Sequence, residues 1–245
     1  MNKEQKWKKQ RLGNITASEL SNLTSASGKI IDGNIDYIRS KRFERNHGFS
    51  LPVTSKAMEA GHEGEPYAVA WYRENYASPE IIYSQELPEI PVWMNPDVPN
   101  FGASPDAFTE DERIEMEIKC TIGNSTIEFF FDPATAYEEK KARVWKEHGP
   151  QMLGQFVSNP RLEKIWLLKY CPANDLIDDD LDSPLAPWRG VIFEFERKNF
   201  EASIAEMAER INLFNAMIAS DINPSQFKEG KWYLTSNGEL KKKDK

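Results

Sequence analysis

The segment at residues 113–120 reads Arg-Ile-Glu-Met-Glu-Ile-Lys-Cys, a strict alternation of apolar and charged residues. A period of two is the signature of a β-strand. Side chains two apart then share a face, with Ile114, Met116 and Ile118 on one side and Glu115, Glu117 and Lys119 on the other. An upstream strand candidate, residues 101–109, contains Ser104-Pro105-Asp106. If the two segments pair as a hairpin, Asp106 comes close to Glu117. Two carboxylates converging at a sheet edge form a hard-oxygen site suited to Mg²⁺ or Mn²⁺. A lysine beside them adds positive charge near a phosphate or, if its pKa is depressed, accepts a proton from water. Phosphodiester hydrolysis needs that combination, because a metal lowers the pKa of bound water and offsets the charge of the transition state. The short pattern alone is equally that of a surface hairpin with solvated charges.

Around this hairpin the periodicity predicts helices over residues 36–46 and 54–76, the latter with Ala57, Ala60, Ala68, Trp71 and Tyr72 as apolar positions. Pro66 should kink the second helix or mark a restart at Glu65-Pro66, because an interior proline removes a backbone donor. A first strand is expected at 80–87. A helix over 134–146 is expected to break at Gly149-Pro150, with a second helical piece at 151–157. Buried strands at 164–170 and 191–196 flank an acidic, proline-containing loop at 172–188, and an amphipathic helix covers 200–219. Thr16 or Ser18 suits the cap of a short helix. The order of helix, three strands, helix, two strands and helix predicts an α/β domain with a central mixed sheet flanked by helices. Residues 1–245 read as a single domain.

With 40% hydrophobic and 29% charged residues among 245, the composition is that of an ordinary globular protein. The two cysteines, Cys120 and Cys171, have no Cys or His partner nearby in sequence. Zinc and iron–sulfur sites are excluded, and two reduced thiols are expected. No apolar run approaches a membrane span and no signal peptide is evident, so an intracellular, cytoplasmic protein is expected. The net charge of −8 argues against a nonspecific nucleic-acid binder, but a carboxylate-rich metal site lowers the total, and the distribution matters more than the sum.

Gly61-His62-Glu63-Gly64-Glu65-Pro66-Tyr67-Ala68 brackets two acids with glycines and a proline at a helix start. Acids there suit the helix dipole. In a metal site, Glu65 or Glu63 would reach the ion from a helix beside the sheet. His47, His62 and His148 lack ligand spacing, and Asp178-Asp179-Asp180 lacks the spacing of a calcium loop.

These stretches together resemble the phage lambda exonuclease family, the alkaline exonucleases of phage recombination within the PD-(D/E)XK nuclease superfamily. Residues 11–19, Arg-Leu-Gly-Asn-Ile-Thr-Ala-Ser-Glu, are similar to that family's Arg…Thr-Ala-Ser motif. Residues 61–68 are similar to its Gly…Glu motif, with the acid falling on Glu65. Ser104-Pro105-Asp106 matches its Ser-Pro-Asp, and Glu117-Ile118-Lys119-Cys120 its Glu-Leu-Lys-Cys. Order and spacing agree from residue 11 to about residue 170.

The resemblance implies a restriction-endonuclease-like PD-(D/E)XK core and a 5′→3′ exonuclease on linear double-stranded DNA. Asp106, Glu117, Glu65 and the Ile118 carbonyl would bind Mg²⁺, with Mn²⁺ as the alternative. Lys119 would position or activate the attacking water. Arg11, Ser18 and Ser104 would hold a terminal 5′-phosphate, and a guanidinium fork with hydroxyl donors is physically suited to one. Gln151 or Gln155 would orient Lys119. The family's Gln-x-Gln is replaced here by Gln151-Met152-Leu153, with Gln155 a turn later. A homotrimer around DNA and a single-strand annealing protein as partner follow from the same analogy. An endonuclease or nickase on this core, or a non-catalytic DNA-binding relic, are the competing readings. The Arg11, Ser18 and Ser104 set favours end recognition, and retention of the acids and lysine favours activity.

Overall fold

The computed structural model describes residues 1–24, 29–51, 56–121, 124–172 and 190–243. In chain order it runs α1 (Lys3–Arg11), β1 (Ile15–Thr16), α2 (Asp32–His47), α3 (Lys56–Asn75), β2 (Ile82–Tyr83), β3 (Phe101–Gly102), β4 (Ala107–Phe108) and β5 (Ile114–Cys120). It continues through α4 (Asn124–Phe131), α5 (Tyr137–Ser158), β6 (Lys164–Tyr170), β7 (Gly190–Glu196), α6 (Glu201–Ala219), β8 (Lys231–Leu234) and β9 (Leu240–Lys243). The central sheet has the order β2-β4-β5-β6-β7, with β5 and β6 parallel and the other pairs antiparallel. This is the expected α/β architecture with a mixed sheet.

Both faces of the sheet are covered. Ile165, Leu167, Phe193 and Phe195 join Val144, Met152 and Phe156 of α5 and Ile204, Met207 and Ile211 of α6 in one core. On the other face Met116, Ile118, Leu168 and Tyr170 pack on Ala68, Val69, Trp71 and Tyr72 of α3. In register, Glu115, Glu117 and Lys119 stand beside Ile165, Leu167 and Lys169. The charged face of β5 therefore lies under α5, and Glu115 and Glu117 are buried.

Several expectations need correction. The strand expected at 80–87 is only Ile82–Tyr83, followed by a 3₁₀ turn at Ser84–Glu86. The strand expected at 101–109 is split into β3 and β4. Between them Pro105, which lacks an N–H, cannot extend the ladder, and the Pro105 and Asp106 carbonyls accept from Ser84 Oγ at 2.6 Å and Ser84 N at 2.9 Å. Neither interior proline ends its helix: α3 runs through Pro66 and α5 through Pro150. A mid-helix proline costs about 3 kcal/mol, whereas burying one large apolar side chain contributes about 1.5–3 kcal/mol. Buried Val144 before Pro150 and Met152, Phe156 and Val157 after it outweigh that cost. Helices α1 and α4 and the β8–β9 hairpin carry no periodicity that the sequence reading detected. The side chains of residues 56–60, Ala57 and Ala60 among them, and the acidic loop including Asp178-Asp179-Asp180 lie outside the described residues. Among the described residues no helix is long and apolar enough to cross a membrane. Both cysteines are free.

Candidate active site

β4 pairs with β5 only at Ala107↔Met116 and Phe108↔Glu115. Beyond Met116 the two strands separate, leaving the edge of β5 open at Glu117, Ile118 and Lys119. Asp106 turns into the gap, and its Oδ2 accepts from Ile118 N at 2.8 Å. The N–H and C=O of one strand residue point to the same side, so the Ile118 carbonyl faces this gap too. Asp106 and Glu117 are thus brought to one strand edge, as the hairpin predicted.

Glu117 is the most heavily supported of the acids. Its Oε1 accepts from Lys119 Nζ at 2.5 Å and from Gln151 Nε2 at 2.6 Å, and its Oε2 accepts from Gln155 Nε2. Both glutamines of α5 therefore serve Glu117, and neither bonds Lys119, the role the resemblance implied for one of them. Burial alone would lower the Lys119 pKa, but Glu117, Asp106 and Glu65 together outweigh it and raise the value. With no cation on these acids, Lys119 is held as an ammonium that neutralises Glu117. Glu115, two residues earlier on the same face, has neither partner nor exposure among the described residues. Burial, then the charges of Glu117 and Asp106, drives its pKa well up and keeps it a neutral acid.

Glu65 reaches the same region from α3. A Cβ on Gly64 would sit 2.5 Å from Cys120 Sγ, so only glycine lets α3 lie this close to the end of β5. Glu65 Oε1 meets His62 Nδ1 at 3.2 Å, and its Oε2 accepts from the Tyr83 hydroxyl at 3.4 Å. Burial and then the Glu117 charge raise the Glu65 pKa against the lowering effect of His62 and Lys119. Burial, then Glu117 and Glu65, raises that of Asp106 well above the usual carboxylate range. Burial also pushes the Cys120 thiol up to about 12. Among the described residues no three His, Cys, Asp or Glu side chains are gathered tightly enough to form a ready-made metal cage. The three acids share one electrostatic field, but Glu65 is turned toward His62 and Tyr83. The donor set still fits a hard divalent cation: carboxylate oxygens and a backbone carbonyl, with mutual repulsion that a cation would relieve.

The Arg11, Ser18 and Ser104 set lies alongside. Arg11 Nη2 donates to Thr16 Oγ1 and Ser18 Oγ, each at 3.2 Å. Ser104 joins through Trp7, which sequence reasoning missed. The Trp7 indole N–H donates to Ser104 Oγ at 2.7 Å, and the Arg11 guanidinium lies 4.3 Å from the Trp7 ring centroid. The i,i+4 spacing of Trp7 and Arg11 is a helix-face pair, visible only once α1 is known to be a helix. Burial lowers the Arg11 pKa, while Glu19, Asp106 and Glu117 oppose the shift, which places Arg11 in the field of the carboxylate edge. The expected cap is Thr16. Its backbone N–H and its hydroxyl both donate to Glu19 Oε2, at 3.0 and 2.9 Å, as the 3₁₀ turn Ala17–Asn22 begins. Gly154 of α5 packs on that turn, where an added Cβ would lie 2.4 Å from Leu20 Cδ1. The helix carrying Gln151 and Gln155 and the turn carrying Ser18 are thereby fixed against each other.

This arrangement has known counterparts. Residues 6–156 match the family model of the YqaJ-like viral recombinase domain. No curated protein is similar enough to count as a match. The chain is similar in structure to an alkaline exonuclease, LHK-Exo, from Laribacter hongkongensis: 23% identity, 87% of this chain, 92% of that chain, TM-score 0.64. For the same exonuclease in complex with dAMP the values are 24%, 91%, 97% and 0.65. A phage-related exonuclease from Haemophilus somnus 129PT shares 14% identity over 82% of this chain and 92% of that one, with a TM-score of 0.57. At these identities the likeness establishes the fold, which is that of these exonucleases.

Proposed function

The chain belongs to the YqaJ-like viral recombinase domain family, and on that premise we propose that it is a metal-dependent 5′→3′ exonuclease. Its substrate would be linear double-stranded DNA bearing a 5′-phosphate, processed in phage-type recombination. The observation that carries this reading is the adjacency of two features. One is a polar pocket of Arg11, Ser18 and Ser104, linked by Trp7. The other is the open strand edge of Asp106, Glu117 and Lys119. The solved neighbour bound to dAMP supports it, since a deoxynucleoside monophosphate is what an exonuclease releases.

In this mechanism Arg11, with Ser18 and Ser104, binds the terminal phosphate by charge-assisted hydrogen bonds. The scissile phosphate then lies near the β5 edge. Asp106, Glu117, the Ile118 carbonyl and Glu65 would hold a divalent cation, Mg²⁺ or Mn²⁺. When bound, such an ion supplies activation of a water molecule and charge neutralisation at phosphorus. Lys119, as an ammonium, orients the attacking water and offsets charge developing on the non-bridging oxygens. Gln151 and Gln155 keep both oxygens of Glu117 in place. A homotrimer encircling DNA, an annealing-protein partner and a cytoplasmic location complete the proposal by family analogy, and sedimentation of the full chain tests the trimer.

The deciding experiment incubates the protein with 5′-phosphorylated linear duplex, the same duplex with 5′-hydroxyl ends, and closed circular DNA, with Mg²⁺ or Mn²⁺ and with chelator. Metal-dependent loss of the phosphorylated linear DNA, a slower loss of the hydroxyl form and an intact circle are expected. Arg11→Ala should abolish the difference between the two ends. Cutting of the circle would make it an endonuclease, and no cutting under any condition would make it a binding relic.

A further inference from the structure

Helix α1 is a poor helix by the usual criteria. It has nine residues and buries none of them, whereas isolated helices shorter than about 12–15 residues are marginal in water. Five of the nine are cations and one is an acid, in a chain whose net charge is −8. What fastens it is polar. Lys3 donates to the Gln85 carbonyl, Lys6 pairs with Glu89 at 2.6 Å, and Trp7 and Arg11 reach into the phosphate pocket.

Lys8 and Lys9 take no part in that fastening. The ion partner of Lys8 is Glu4 of the same helix, at 2.6 Å with side-chain exposures of 64% and 61%. Such an i,i+4 surface pair contributes little and exchanges readily for another anion. Lys9 is exposed and has no ion partner among the described residues. Glu4, one turn before Lys8, interacts electrostatically with His62. The ring of His62 meets Glu65. Lys8 and Lys9 share the last turn of α1 with Arg11, and Trp7 of the same helix bonds Ser104, two residues before Asp106.

We propose that Lys8 and Lys9 grip the sugar–phosphate backbone of the DNA at the entrance to the active site. Helix α1 is then a backbone rail that ends, at Arg11, in the terminal-phosphate pocket. This rests on the nuclease reading and deepens it. Contacts of this kind hold register without reading sequence. They also offer an acidic chain a local patch of positive charge for DNA, since five of the nine residues of α1 are cations. The helix dipole places a partial negative charge at the C-terminus of α1, so the cations there are needed before a phosphate can approach.

The test compares the parent with Lys8→Glu/Lys9→Glu and with a charge-matched control, Lys241→Glu/Lys243→Glu, on the β8–β9 hairpin packed against α6. Binding of 5′-phosphorylated duplex is measured with chelator present across a salt series, and cleavage is measured with Mg²⁺ at low salt. Loss of two phosphate contacts should reduce the magnitude of the log K against log salt slope by about 1.8, with the control at the parent's slope. The α1 variant should melt slightly below the parent, because it sets two acids at i,i+4 near the helix C-terminus, and all three proteins should keep the preference for a 5′-phosphate. An unchanged slope in the α1 variant, or an equal reduction in the control, overturns the proposal while leaving the nuclease reading intact if the parent still cleaves. A parent that neither binds nor cleaves linear duplex fails at the nuclease reading itself.

Discussion

Replacing Gln155 by leucine tests stability and activity together. Gln155 is buried at 1% exposure and donates its Nε2 to Glu117 Oε2, while its own Oε1 has no partner among the described residues. A hydrogen bond to a charged group is worth about 1.5–3 kcal/mol, and a buried polar atom left unpaired costs about 1–3 kcal/mol. Leucine removes the first and also the second, which largely cancel, but it leaves the buried Glu117 Oε2 without a donor, so folding should weaken by about 1–3 kcal/mol and the melting temperature should fall by several degrees. No such cancellation acts on Glu117, which keeps Gln151 and Lys119 on Oε1 but loses the donor fixing Oε2. If that bond's energy goes into holding the carboxylate for the metal and the transition state, kcat/KM falls about 10–150-fold. The Mg²⁺ concentration for half-maximal rate should rise with it. Gln151, half-buried and sharing Oε1 with Lys119, should cost less when changed to alanine. The assay is steady-state release of mononucleotides from phosphorylated duplex over a Mg²⁺ titration, alongside thermal melting. A kcat/KM within twofold of the parent and an unmoved Mg²⁺ midpoint would refute the clamp. A collapse of the melting temperature with activity per folded molecule intact would make Gln155 a packing residue only.

Lys119→Ala and Asp106→Ala should each abolish cleavage with the fold retained, as judged by circular dichroism, and residual turnover in either refutes its assigned role. The folded-state pKa of Asp106 is raised above its unfolded value, so its ionisation weakens the metal-free protein as pH rises. Asp106→Asn should therefore raise the metal-free melting temperature at neutral pH and abolish the further rise that Mg²⁺ gives the parent; a lower metal-free value would contradict this. Gly64→Ala places a Cβ 2.5 Å from Cys120 Sγ. It should cost about 1–3 kcal/mol by overpacking and weaken metal dependence through Glu65, measurable by denaturant melts and Mg²⁺ titration. His148 is held down to about 3 by burial, then by Lys169 and Lys119. It stays neutral at working pH, so stability should decline as pH falls from the unfolded value near 6.5 toward 3. His148→Gln should flatten that decline, and an unchanged acid-denaturation profile would refute the assignment.

How much of this was legible in the sequence depends on whether packing or pattern decided each element. Strand β5 carries a clean period of two, β6 and β7 read as short apolar runs and α6 as an amphipathic helix, and their bounds lie within a residue or so of the reading. Helix α1 has no apolar stripe to detect because it buries nothing. The continuity of α5 through Pro150 rests on tertiary burial on both sides of the proline, which local propensity does not contain. Trp7 was hidden with α1. Whether Glu65 turns toward the other acids is a rotamer-level matter that no spacing expresses.

The two glutamates of β5 show why the pattern stops short of the chemistry. Glu115 and Glu117 occupy equivalent places in the alternation, on one face and both buried. Sequence periodicity cannot rank them. The neighbouring strand does. Glu115 lies opposite Phe108, inside the β4 ladder, and no donor reaches it among the described residues. Glu117 lies one step beyond the last ladder pair, where Pro105 has ended β4 and opened the strand edge. There it has two amides and an ammonium for its oxygens, with Asp106 folded back beside it. The proline before Asp106 thus has a structural consequence twelve residues later, since it sets where the ladder stops and hence which of two like acids has Asp106 and three donors beside it. Restoring the ladder by Pro105→Val would close that edge over Glu117. Cleavage should then be lost while every acid and the lysine remain in the chain.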